Sequence, residues 1–236
     1  MTGDPTTRNE VNMLFQLSWT EIILLIPALL IAFSIHEFFH GYAAFCLGDQ
    51  TAKWDGRLTL NPIKHIDPIG TLMILIVGFG WAKPVMVNPY NLRNPKRDMA
   101  IIALAGPVSN FVTAFFALFT FSFLLMSGLI SFGDGDIARY TLQFFFLLFN
   151  INVMLGVFNL IPIPPLDGSK ILGMFMPHHL YWRYMNFRYW FVVLLILLIG
   201  PRLGLDIGLG SILNPAMSGI LRGYLFVIER FLGLFF

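Results

Sequence analysis

Long apolar runs constrain this chain more than any other feature. "WTEIILLIPALLIAFSIHEFFHGYAAFCL" covers Trp19 to Leu47, and further runs extend from Met99 to Ile130 and from Thr141 to Ile163. A helix of about 20 predominantly apolar residues crosses a bilayer core, and each run is long enough. A shorter stretch spans Phe187 to Ile199, and a Gly-rich one lies within residues 203–236. Only 12% of the 236 residues are charged and 57% are hydrophobic, with a mean hydropathy of +0.74. A soluble domain carries about 25% charged residues, so the polar surface here is too small to cover a soluble fold. The pattern predicts an all-α polytopic membrane protein with about five to six membrane segments.

The region between the first two long runs is different. Ile69 to Phe79 is short for a span and leads into "GFGWAKPVMVNP", where glycines, a lysine and two prolines oppose a regular helix. Non-helical backbone is tolerated at membrane depth only where protein or a water-filled cavity covers it. This region is expected to form a re-entrant β-hairpin-like element; a short helix followed by an interfacial loop is the alternative. Lysine and arginine counts set the expected orientation. The first connection holds Lys53, Arg57, Lys64, Lys83, Arg93, Lys96 and Arg97, and the one after the third run holds Lys170, Arg183 and Arg188. The second, "SFGDGDIAR", holds only Arg139 beside two aspartates. The basic connections are therefore expected in the cytoplasm and the N-terminus outside a cell membrane that the chain crosses several times.

Three regions follow: an extracytoplasmic tail over 1–18, a catalytic membrane core over 19–170, and C-terminal membrane and interfacial helices over 171–236. In the last, Arg222, Glu229 and Arg230 share one helical face, which suits a helix in the interface or a tilted span. Cys46, the single cysteine, excludes an intramolecular disulfide and a Cys-rich metal site; six residues past His40, it is expected to pack. The formal net charge of +2 gives no reason to expect nucleic acid.

Ionisable groups inside a span are costly and by default functional. His36 and His40 are four apart, so a helix puts both imidazoles on one face, as two ligands of a tetrahedral zinc require. Glu37 adjoins them as a candidate general base, the arrangement of His-Glu-x-x-His on a helix. A third ligand must be a carboxylate or another histidine. Asp167, in "FNLIPIPPLDGSKIL", follows prolines at 162, 164 and 165 that break the helix. On spacing alone it is equally a cap of the helix starting at Gly168 or Ser169. His65, His178 and His179 are expected to be loop or interfacial residues.

"HEFFH" in the first run, "GPVSN" in the second and "NLIPIPPLDG" at the end of the third together resemble the site-2 protease family, zinc metalloproteases that cut membrane-embedded substrates. "GRLTLNPIKHIDPIGT" and "GWAKPVMVNP" also resemble that family's connecting segments, so the likeness covers roughly residues 30–170. It implies one Zn²⁺ held by His36, His40 and Asp167, with Glu37 as the catalytic carboxylate. It also implies that Asn110 sits beside the active site to hold substrate or the developing oxyanion, with Asn159 nearby in a substrate role. Unlike many members, these 236 residues are expected to carry neither a PDZ domain nor a cystathionine-synthase-type domain.

Depth supports a single site. At 1.5 Å per residue, His36 and His40 lie about 18 and 12 Å before the cytoplasmic end of the first helix, and Asn110 about 16 Å into the second. The expected activity is hydrolysis of peptide bonds within or near a transmembrane segment of a membrane-protein substrate. An unwound substrate could add as a strand along "GFGWAKPVMVNP", so Trp81, Lys83, Pro84 and Val85 are candidate substrate contacts. The competing expectation is a membrane transporter or scaffold that keeps the metal-site fold without chemistry. Five histidines are too few for a membrane di-iron oxidase.

Overall fold

The structure, a computed structural model, describes residues 18–70, 73, 80–203 and 208–235. Helix α1 (Trp19–Cys46) starts from a capping box: Ser18 Oγ accepts from Glu21 N at 3.3 Å, and Glu21 Oε2 accepts from Ser18 N at 2.7 Å. It ends before Gly48, whose φ of 106° suits a residue without a side chain. A short helix, α2 (Thr51–Trp54), follows at once. Helix α3 (Pro95–Met126) opens on a proline, whose missing N–H costs nothing in a first turn. Helix α4 (Asp136–Asn159) returns beside it, and the short helices α5 (Asp167–Phe175), α6 (His178–Met185) and α7 (Trp190–Ile199) lead to α8 (Gly210–Leu232).

Helices α1, α3 and α4 are long and apolar enough to cross a membrane. Both α3 and α4 start a turn before the runs expected at Met99 and Thr141, because polar residues outside the apolar stretch still take helical backbone. Among the described residues three helices, not five to six, meet both the length and the apolarity of a span. Ten residues of α7 rise only about 15 Å, half of a hydrocarbon core of about 30 Å.

The main core lies where α1, α3, α4 and α8 meet. Ala28 and Ala32 face Ala114, Ala117 and Leu118, with Leu148, Phe149 and Val153 of α4 and Ile228 and Leu232 of α8 closing it. Alanine on both α1 and α3 lets two backbones approach closely, the usual device where lipid offers no hydrophobic driving force. Helix α8 runs alongside α3 in the same direction: Tyr224 Oη donates to the Phe111 carbonyl at 3.0 Å, and the Phe119 and Phe231 rings are 6.0 Å apart. Arg222, Glu229 and Arg230 do share its exposed face, but the opposite face is bundle core. A smaller cluster of Ala44, Leu92 and Ile102 closes the far end of α1.

The hairpin expected between the long helices falls largely on residues 71–72 and 74–79, outside the described residues. Residues 80–88 take neither helix nor strand, and no strand occurs among the described residues. Cys46 is exposed, so its expected packing role is not observed among the described residues.

Candidate metal centre

Helix α1 places His36 and His40 one turn apart, with ring centroids 4.5 Å apart and planes nearly perpendicular. Asp167 is brought to them from 127 residues away by the break after α4. It is the first residue of α5; Leu166 occupies the cap position, and no side-chain cap bond is made. The capping role left open by spacing is therefore not the observed one. Gly168 follows because its Cα lies against the backbone of Leu160 and Ile161, where no Cβ fits. His36, His40 and Asp167 are all buried and together form a possible metal-holding group.

The outer partners of these side chains decide how they point. Each imidazole Nδ1 faces an oxygen: Asn110 Oδ1 at 2.6 Å for His36, and the Ile102 carbonyl at 2.7 Å for His40. In that tautomer, assigned from the partners, Nδ1 carries the hydrogen and Nε2 the lone pair. The two Nε2 atoms are 2.9 Å apart, and Asp167 Oδ2 stands 3.2 and 3.0 Å from them. Lys170 Nζ donates to the other carboxylate oxygen, Oδ1, at 3.3 Å.

With each Nδ1 engaged outward, two Nε2 atoms and one carboxylate oxygen converge as potential electron-pair donors, an arrangement that a cation between them would stabilise. Two imidazole nitrogens and one carboxylate oxygen are a donor set that zinc accepts, with a position left for water. Ligands about 2.0–2.1 Å from a tetrahedral ion stand about 3.3 Å apart, so the group has only to open by a few tenths of an ångström. Gly106 of α3 keeps the space. A Cβ there would lie 2.5 Å from His40 Cε1 and Nε2 and 2.7 Å from His36 Cε1. The residues present fit a zinc ion.

Glu37 points towards the extended segment after the first connection, where Val85 N donates to its Oε2 at 2.7 Å. That segment is fixed at several points. Lys83 N donates to the His65 carbonyl at 2.8 Å, and Asn88 N donates to Asp49 Oδ2 at 2.7 Å. Asp49 is fully buried just past α1 and also accepts from Thr51 Oγ1 and Asn91 Nδ2, at 2.5 and 2.7 Å. Burial pushes its carboxyl up, but the bonds from Thr51, Asn91 and Asn88 outweigh that and hold it below the ordinary value of 3.8.

Asn110 departs from expectation. Its amide nitrogen donates to the Ala32 carbonyl at 3.2 Å and to Asn152 Oδ1 at 2.8 Å, while its oxygen accepts from His36. With both hydrogens engaged, no donor remains for substrate or an oxyanion; Asn110 holds a histidine instead. Asn159 donates to the Leu155 carbonyl one turn back on its own helix, at 2.9 Å, and no bond from it to the cluster is observed among the described residues. Val85 touches Glu37, whereas Trp81, Lys83 and Pro84 are exposed along the same segment. His65 is buried beneath its loop, its Nε2 2.8 Å from the Thr59 carbonyl, and His178 and His179 are exposed.

Sequence reasoning passed over Gly106, Lys170 and Asn152. The asparagine left a readable signal, a polar side chain inside the apolar run "FFFLLFNINVMLG". The glycine's role is visible only once α1 packs against it.

Apolar helices long enough to cross a membrane, enclosing a buried His–His–Asp set with a glutamate between the histidines, define a membrane protein of the metallopeptidase kind. The family model for peptidase family M50 matches residues 120–199. The chain is 39% identical over 202 residues to "Putative zinc metalloprotease YwhC" of Bacillus subtilis (strain 168), covering 84% of this chain and 89% of that one. It is 31% identical over 188 residues to "Putative zinc metalloprotease Rip2" of Mycolicibacterium smegmatis, covering 77% and 68%. A third relative, "Putative zinc metalloprotease MJ0611" of Methanocaldococcus jannaschii, is 34% identical over 104 residues, or 44% and 49%. No solved structure gives a significant match. The chain belongs to peptidase family M50, the site-2 protease family, and is membrane-associated.

Proposed function

We propose that this chain is an intramembrane zinc endopeptidase that hydrolyses a peptide bond within or near a transmembrane segment of a membrane-protein substrate. The observation that carries the reading is the convergence of His36 Nε2, His40 Nε2 and Asp167 Oδ2, with Glu37 on the same helix. Membership of a peptidase family and relatives named as zinc metalloproteases support it.

His36, His40 and Asp167 would hold one Zn²⁺ per chain. When bound, zinc supplies a Lewis acid that polarises the scissile carbonyl and lowers the pKa of water to about 7. Glu37 takes the proton of the attacking water and passes it to the departing amine as the C–N bond breaks. The Val85 N–H aims one Glu37 oxygen, and the other, which accepts no hydrogen bond among the described residues, takes that proton. Asn110 and the Ile102 carbonyl keep each Nδ1 protonated, so both Nε2 lone pairs stay available to the metal.

The substrate's helix must unwind before it is cut. The extended backbone from residue 80 to 88 is the edge along which the unwound strand pairs; Trp81, Lys83 and Pro84 flank it. Helices α1, α3 and α4 cross a cell membrane with the site towards the cytoplasm and the N-terminus outside, and α8 runs beside α3 at the same depth.

The test is zinc content of the detergent-purified chain beside cleavage of a model membrane substrate. One zinc in wild type, together with cleavage that Asp167→Ala abolishes by losing the metal, is the expected result. A wild type that holds no zinc after reconstitution overturns the reading and leaves the transporter or scaffold in its place.

A further inference from the structure

We propose that Asn152 is a positioning residue for His36, acting through Asn110; this rests on the reading of His36 as a zinc ligand. The hydrogen bonds run in one direction across three helices. His36 Nδ1–H donates to Asn110 Oδ1 at 2.6 Å, Asn110 Nδ2 donates to Asn152 Oδ1 at 2.8 Å, and Asn152 Nδ2 donates to the Leu148 carbonyl at 2.8 Å. Both asparagines are completely buried.

The donor and acceptor count leaves no second arrangement. Turning the Asn110 amide over would set its oxygen against the Ala32 carbonyl and Asn152 Oδ1, two oxygen–oxygen contacts. It would also aim an N–H at His36 Nδ1 and drive the ring's hydrogen to Nε2, where the lone pair is needed. Asn152 forbids the turn as long as its own oxygen faces Asn110, and the bond to the Leu148 carbonyl fixes that. Ala32 alone holds Asn110 at the longer distance of 3.2 Å. A fully buried amide chain in an apolar bundle is costly when any link is missing, so its presence beside a metal ligand is explained by what it orients.

The experiment measures zinc affinity of the full chain in detergent by chelator competition. Asn152→Leu is expected to weaken zinc binding about 10- to 100-fold, the cost of losing an outer-shell partner. Asn152→Asp, as the neutral acid whose O–H donates to the Leu148 carbonyl, keeps an oxygen facing Asn110 and is expected to bind close to wild type. In an Asn110→Ala background, Asn152→Leu is expected to change nothing further, because the link it acts through is gone. Unchanged affinity in Asn152→Leu overturns the assignment, as does an equal loss in the Asn110→Ala background, which would mark a packing effect. Should Asn152→Leu fail to fold, Asn152→Ala is read against the same outcomes. A wild type that binds no zinc removes the zinc reading and this inference together, whereas zinc-binding wild type with indifferent variants removes this inference alone.

Discussion

The Val85 backbone N–H donates to Glu37 Oε2 at 2.7 Å, joining the extended segment to the carboxylate between the two histidines across 48 residues of sequence. The bond comes from a main-chain group, so a change that removes the N–H breaks it; on the proposed mechanism it orients the general base. Val85→Pro is expected to lower turnover by up to about 10²-fold, the scale of a misplaced catalytic group, with zinc content unchanged. Val85→Ala keeps the N–H and most of the activity. Metal analysis beside a cleavage assay separates the outcomes; full activity in Val85→Pro would remove the role given to the bond.

On the proposed mechanism Glu37 is a proton carrier and not a ligand. Glu37→Gln keeps the side chain's shape and its bond from Val85 while removing the basic oxygen. The expected loss of cleavage is about 10²- to 10⁴-fold, with one zinc retained. Loss of the metal in this variant would make Glu37 a ligand.

Gly106 faces both imidazoles. In Gly106→Ala, the new Cβ would stand 2.5 Å from His40 and 2.7 Å from His36, so the rings or α3 must move. Zinc affinity is expected to fall at least about 10-fold, as it does when ligand orientation is disturbed. Retained affinity would show that α3 gives way without cost to the site.

Asp49 ties the end of α1 to the segment that carries Val85. Its carboxyl is held below the ordinary value of 3.8 in the folded chain, so its contribution to stability is present above that pH and is lost as the pH falls through the lower folded value. Asp49→Asn is expected to cost about 1–3 kcal/mol at neutral pH, the scale for weakening bonds to a buried charged acceptor. The thermal midpoints of variant and wild type should converge on acidification below pH 4. A gap that persists there would assign the loss to packing.

The three long apolar helices and the candidate ligand residues were legible because their signals are local. An apolar run of bilayer length means the same thing wherever it occurs, and His36, Glu37 and His40 share a helix face by spacing alone. Asp167 was ambiguous in sequence, since a helix cap and a ligand leave the same aspartate before the same glycine; the position of α5 against α1 separates the two. The length of α7 and the packing of α8 also required the structure, because hydropathy does not say where a helix stops or what it leans on.

The sequence by itself determined that this chain lives among lipids and which side chains could hold a metal, since both follow from residue type and helical period. Only the tertiary structure decided how those side chains point. The Val85 bond to Glu37, the space left by Gly106 and the Asn152–Asn110–His36 chain each join residues more than 35 positions apart. Hydrogen-bond direction and steric room between packed helices exist only once the helices are packed, and no periodicity in the chain encodes them.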